Sequence, residues 1–136
     1  MRMERHCANA LKVVQWLSAD PRISWVSFPG LEEDKYHALA EKYMPNGTCG
    51  VISFGVPGGR EKVSAFLDHL KMVSIATHVA DARSCTLYPA GTTHRQLTEE
   101  QLVEAGVGID LVRLSCGIEN ADDIITDLDQ ALAAVQ

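Results

Sequence analysis

Leu111-Val112-Arg113-Leu114-Ser115-Cys116 is the stretch that decides how this chain is built. Val112, Leu114 and Cys116 alternate with Leu111, Arg113 and Ser115, the period-two pattern of a strand with one apolar face. Just behind it, Asn120 precedes acidic residues and then Ile124, Ile125, Leu128, Ala131 and Leu132 at helical spacing, so a capped helix follows the strand. Just ahead, Thr98-Glu99-Glu100-Gln101 has the capping-box pattern, and the short helix it starts ends at Gly106.

The same grammar extends toward the N-terminus. Thr48 to Val56 alternates cleanly, with Ile52, Phe54 and Val56 on one side, and Pro57-Gly58-Gly59 turns it into a helix bearing Val63, Phe66, Leu67 and Leu70. Met72 to Val79 and Ser84 to Tyr88 predict two further strands. Upstream, Ser24 to Phe28 predicts a short strand. A helix from Glu32 to Tyr43 follows it, with Tyr36, Leu39, Ala40, Tyr43 and Met44 on its apolar side. The chain opens with a helix from Arg2 to Ala19, where Met3, Cys7, Ala10, Val14 and Leu17 share a face that Val13 and Trp16 widen, and Pro21 stops it. So broad an apolar face needs a surface to lie against. A domain of this size is expected not to supply one, which would leave the face free to drive self-association. The whole predicts an α+β fold: a two-layer domain with a mostly antiparallel sheet and helices on one face.

The 136 residues suit one domain, and 46% hydrophobic with 22% charged residues is ordinary for a globular protein. A formal net charge of -6 with no basic cluster argues against nucleic acid or an anionic membrane surface as partner. No apolar stretch approaches the roughly 18 residues a membrane span needs. The charged opening has no apolar run behind it, so no signal peptide is expected and the expected compartment is the cytosol. Cys7, Cys49, Cys85 and Cys116 are irregularly spaced and pair with no histidine motif, so free, mostly buried thiols are expected, with no disulfide framework and no metal site.

Three features bear on chemistry. Gly55-Val56-Pro57-Gly58-Gly59 could cradle a phosphate, but it fits neither nucleotide-loop spacing and reads as a plain strand-to-helix turn. Thr92-Thr93-His94 sits near hydroxyls with no nucleophile motif around it, and reads as a loop cap. Arg113 is a charge inside an apolar strand and needs a partner. Its planar fork suits a bidentate grip on a carboxylate, yet a salt bridge from an edge strand to one of the 18 acidic residues would serve as well. At this level both readings stand.

Tyr88-Pro89-Ala90-Gly91-Thr92-Thr93-His94-Arg95-Gln96-Leu97, Ala105 to Gly108, Val112-Arg113-Leu114-Ser115-Cys116-Gly117-Ile118-Glu119 and Asp122 to Leu132 resemble the C-terminal signature of the Cys/Met-metabolism pyridoxal-phosphate (PLP) enzymes. Arg5 to Leu11 is similar to the helix that links the two domains of such enzymes, and Gly50 to Phe54 to a main sheet strand. The motifs are nearest to the O-acetylhomoserine sulfhydrylase branch of the family.

The resemblance implies the aspartate-aminotransferase-type fold (PLP fold type I), of which residues 1–136 would be the C-terminal small domain, with 1–19 as the interdomain-type helix and the large PLP-binding domain lying outside the chain. It implies that Arg113 binds the α-carboxylate of the amino-acid substrate, with a second contact from His78 and the Val79 amide. The family usually has Ser or Asn and a small-residue turn where this chain reads His78-Val79-Ala80, and Tyr88 and Cys116 replace a common His and Val. The implied function is the substrate-carboxylate-binding domain of a sulfhydrylase making homocysteine from O-acetylhomoserine and sulfide, in a homo-oligomer. A free-standing interaction module, or the same domain of a cystathionine γ-synthase or methionine γ-lyase, is the alternative. No catalytic residue is expected here. PLP would serve the full-length enzyme, because none of Lys12, Lys35, Lys42, Lys62 and Lys71 has the family's Ser-x-x-Lys setting. The purified chain should therefore be colourless, and a yellow preparation bleached by borohydride would contradict this.

Overall fold

The computed structural model describes all 136 residues, as α1 (Arg2–Ala19), β1 (Val26–Ser27), α2 (His37–Tyr43), β2 (Val51–Gly55), α3 (Gly59–Asp68), β3 (Ser74–Ile75), β4 (Cys85–Leu87), α4 (Glu99–Glu104), β5 (Leu111–Ser115) and α5 (Ala121–Ala133). The strands form one sheet in the order β1-β2-β5-β4-β3, so the strand carrying Arg113 is central. Three of the four pairings are antiparallel, and only the edge pair β3 and β4 is parallel. The α+β expectation holds.

The alternation read from the sequence sets the two faces. Ile52, Phe54, Val112 and Leu114 are fully buried and join one core of 22 residues. That core takes in Ala10, Val13, Val14 and Leu17 of α1, Val63, Phe66 and Leu67 of α3, Leu102 of α4 and the buried stripe of α5. α1, α3, α4 and α5 thus share one core on one face of the sheet. Fully burying each such side chain contributes about 1.5–3 kcal/mol, and Phe54 meets Phe66 edge to face at 6.3 Å. On the other face, register aligns Ser27, Ser53, Arg113 and Leu87 in one row across four strands. The predicted caps hold: Thr98 and Gln101 form the capping box, and Asn120 accepts from the Asp122 amide.

Three expectations need correction. First, α1 does find its surface within the chain. Its buried face is His6, Asn9, Ala10, Val13, Val14 and Leu17, packed on α5 and β2, while Met3 stays about half exposed. Arg22 ties the C-terminal end of α1 down by bonding both Asp20 and Asp129 of α5. The apolar face from Met3 to Leu17 therefore gives no reason for self-association.

Second, α2 starts at His37, not Glu32, and only Ala40 is buried. Asp34 explains the late start: its carboxylate accepts from the Phe28 and Tyr36 amides, which turns the chain before the helix begins. The same Phe28 bond ends β1 early. Tyr36, Leu39, Tyr43 and Met44 face outward at 51%, 50%, 69% and 37% exposure.

Third, only Ser74 and Ile75 of the predicted 72–79 strand pair. The Lys71, Met72 and Val73 amides all donate to the buried Asp127 carboxylate of α5 at 2.8–2.9 Å, and residues 77–80 bend across β5.

Asp127→Ala would strand those three amides. Hydrogen bonds to a charged group are worth about 1.5–3 kcal/mol each, but the freed amides regain some solvation. A net loss of at least about 2 kcal/mol is expected from the shift of the urea midpoint, with Asp127→Asn losing less.

Candidate functional site

The site is built where the open face of β5 meets the bend at residues 77–80. Arg113 is half-buried, and one Nη2–H donates to the Thr77 carbonyl at 2.9 Å. Its Nε is shielded from solvent and has no partner. None of the chain's ion pairs involves it. Of the two sequence readings, the salt bridge from an edge strand is therefore not what the fold makes: the strand is central and the arginine has no acid. A guanidinium held by one carbonyl, with most of its fork unused, is poised for an anion.

The structure brings His78 and Val79 to the same place. Two bonds bracket them: Thr77 O to Arg113 in front, and the Ala80 N–H to Ser115 Oγ at 3.1 Å behind. Between these ties the His78 and Val79 N–H groups bond to nothing in the protein. The His78 ring is mostly exposed and its Nδ1 meets Asp81 at 3.3 Å. Asp81 also accepts from the Arg83 amide and guanidinium. The Arg83 backbone and side-chain bonds, then the His78 bond, hold its carboxyl well below the usual carboxylate range. Asp81 is therefore ionised wherever the site would bind a carboxylate, and its charge is spent on its own turn.

Residues 82–84 are fastened to the same strand end. Ile118 N donates to Ala82 O, and the Glu119 carboxylate accepts from the Ser84 amide and hydroxyl at 2.6 and 3.0 Å. Gly117 is obligatory between them, since a Cβ there would sit 2.3–2.5 Å from Glu119 Oε2, Ala82 O and Arg83 C.

Sequence reasoning did not find Thr77, Ala80, Ser115 or Ser84, because their parts are played by backbone groups and short hydroxyls. The only sequence-level hint was that Ser115 falls on Arg113's side of the strand alternation. The other candidates act structurally: Thr92 Oγ1 donates to Tyr88 O and the His94 amide to Pro89 O, as a loop cap should. Tyr88 is buried and its hydroxyl donates to Ile109 O. Burial pushes the Cys116 thiol up to about 12, so it is an inert core group. Cys85 is buried too, while Cys7 and Cys49 are only half-buried.

Lys12 pairs with Asp122, and Lys35 and Lys42 lie over Tyr36 and Tyr43. None of these three lysines lies beside Arg113 in a hydrogen bond or ion pair.

Comparison with known proteins bears on what the arrangement is for. The profile of the family described as Cys/Met metabolism PLP-dependent enzyme matches residues 1–133. The O-acetyl-L-homoserine sulfhydrylase of Leptospira meyeri is 47% identical over 133 residues, which are 97% of this chain and 30% of that protein. The homocysteine synthase of Schizosaccharomyces pombe is 46% identical over 132 residues, 97% of this chain and 31% of that protein. A Campylobacter jejuni crystal structure described as an O-acetylhomoserine (thiol)-lyase with N'-pyridoxyl-lysine-5'-monophosphate superposes with a TM-score of 0.89. It is 39% identical and matches 97% of this chain against 31% of its own. The fold-type expectation therefore holds, and the chain spans about a third of the length of the relatives it matches.

Ala80 is the one non-glycine residue at positive φ (56°), a conformation that costs an L-residue roughly 1–2 kcal/mol. Ala80→Gly relieves this at some entropic cost in the unfolded chain. A net gain of about 0.5–1 kcal/mol is expected in thermal or urea unfolding.

Proposed function

The chain belongs to the Cys/Met metabolism PLP-dependent enzyme family, and from that premise we propose that it is the small, C-terminal domain that binds the substrate α-carboxylate. The observation that carries the reading is the uncompensated Arg113 fork beside two unbonded amides at His78 and Val79. Charge and geometry both select a planar anion: a guanidinium gives two parallel donors, and a backbone N–H adds a third from the side. The bond to Thr77 O orients the fork without neutralising it. His78 stands at the rim, with its Nδ1 bonded to the Asp81 carboxylate.

In the complete enzyme, PLP would supply the electron sink that substitution at the γ-carbon requires, from a domain outside these residues. This chain's own residues would bind and orient the amino acid. The relatives' names support O-acetylhomoserine as the amino acid, giving homocysteine with sulfide. The domain division follows the same reading: residues 1–136 as the small domain, with α1 as the interdomain-type helix. A homo-oligomer is part of the same proposal, and the α1 face from Met3 to Leu17, much of it buried within the chain, gives no argument for it. No helix is long and apolar enough to cross a membrane.

In the complete enzyme, Arg113→Ala should raise KM for the amino acid by about ten- to a hundredfold, from about 1.5–3 kcal/mol of charge-assisted bonding. Arg113→Lys should recover only part, since an ammonium cannot match the fork. The variant's melting temperature should change little, as its one protein bond is to Thr77 O. A large fall in melting temperature with unaltered KM would sink the role.

A further inference from the structure

We propose that Ser115 is a positioning residue for the carboxylate subsite, fixing the turn that carries the His78 and Val79 amides against Arg113. The inference rests on the carboxylate reading of Arg113. Ser115 lies two residues beyond Arg113 on β5, so it shares the open face. It is 2% exposed, and its neighbours across the sheet are Val51 and Cys85. A hydroxyl in that setting needs a bond, and it finds one in the Ala80 N–H at 3.1 Å.

That bond holds a strained residue. Ala80 sits at φ 56° without the freedom of glycine, and such a conformation persists only where the surroundings impose it. The ties available are few. Thr77 is held only by Arg113, the group that would itself meet the ligand. The Asp81 and Arg83 side chains bond only within the turn, and the next tie to the β5 end comes two residues further on, at Ala82 O. Ser115 is thus the one side-chain tie between the rear of the His78-Val79 segment and the rigid central strand. Its backbone pairing with Val51 and Cys85 does not depend on the hydroxyl. Removing the oxygen should therefore loosen the turn and leave the sheet intact.

The test uses the complete PLP-loaded enzyme and two competitive inhibitors. L-norvaline carries an α-carboxylate, and n-butylamine is the same molecule without it. Ser115→Ala should raise the norvaline inhibition constant by about three- to tenfold, the scale of one net hydrogen bond. The butylamine constant and the absorbance of the bound cofactor should not move. Ser115→Cys, close in size but a poor acceptor, should behave like Ala. If both constants rise together, or neither moves, Ser115 has no positioning role. Arg113→Ala separates this from the parent reading. If Arg113→Ala leaves norvaline binding unchanged, the carboxylate site itself is wrong. If it weakens norvaline binding while Ser115→Ala does not, only the present inference fails.

Discussion

Backbone carbonyls that leave a sheet inside a protein must find donors, and at the end of β5 they find them on a helix. His6 Nδ1 donates to Cys116 O at 2.6 Å, and Asn9 Nδ2 donates to Gly117 O and Glu119 O at 3.0 and 2.8 Å. Arg5 adds a further bond to Glu119 O. Unmet, each of these buried groups would cost about 1–3 kcal/mol. Meeting them determines where α1 lies, and so which of its faces is buried. This is why polar His6 and Asn9 occupy the inner side while Met3 stays outside. The same short segment then fastens residues 82–84 through Ile118 and Glu119. Helix, central strand and the 77–84 bend thus meet at one knot.

The site is what this arrangement leaves over. The helical layer covers one face of the sheet and fills it with apolar side chains, so a charge on β5 can only point to the other. There the bend at 77–80 offers Arg113 a carbonyl and no carboxylate. The nearby acid, Asp81, is committed to Arg83 and His78. A cation that is oriented but uncompensated persists because the other interactions of the domain do not need it. The anion it suits would come from outside the chain.

The strands and the capped helices were legible in the sequence because period-two alternation and the Thr98 and Asn120 caps are local signals. Arg113 was legible as a charge in the wrong setting, but whether a ligand or an acid of the chain met it was not. The extents of β1, α2 and β3 were not legible. Each is cut short by a carboxylate that captures amides, Asp34 for β1 and α2 and Asp127 for β3. Nothing in the local pattern around Phe28 or Met72 announces that competition. The exposed stripe of Tyr36, Leu39 and Tyr43 likewise has helical spacing, and periodicity alone cannot tell a face turned inward from one turned outward. Ser115 and Ala80 were hidden because a hydroxyl and a strained backbone take their meaning only from what folds against them.

Relatives about three times longer match 97% of this chain, and the proposed function turns on a single contact. That contact can be seen directly. A crystal structure of the complete enzyme with a bound amino-acid substrate analogue should place the α-carboxylate in a two-pronged contact with Arg113. N–O distances of about 2.7–2.9 Å are expected, with the Val79 N–H within hydrogen-bonding reach of the same group. A carboxylate bound elsewhere, with Arg113 still bonded only to Thr77 O, would contradict the account.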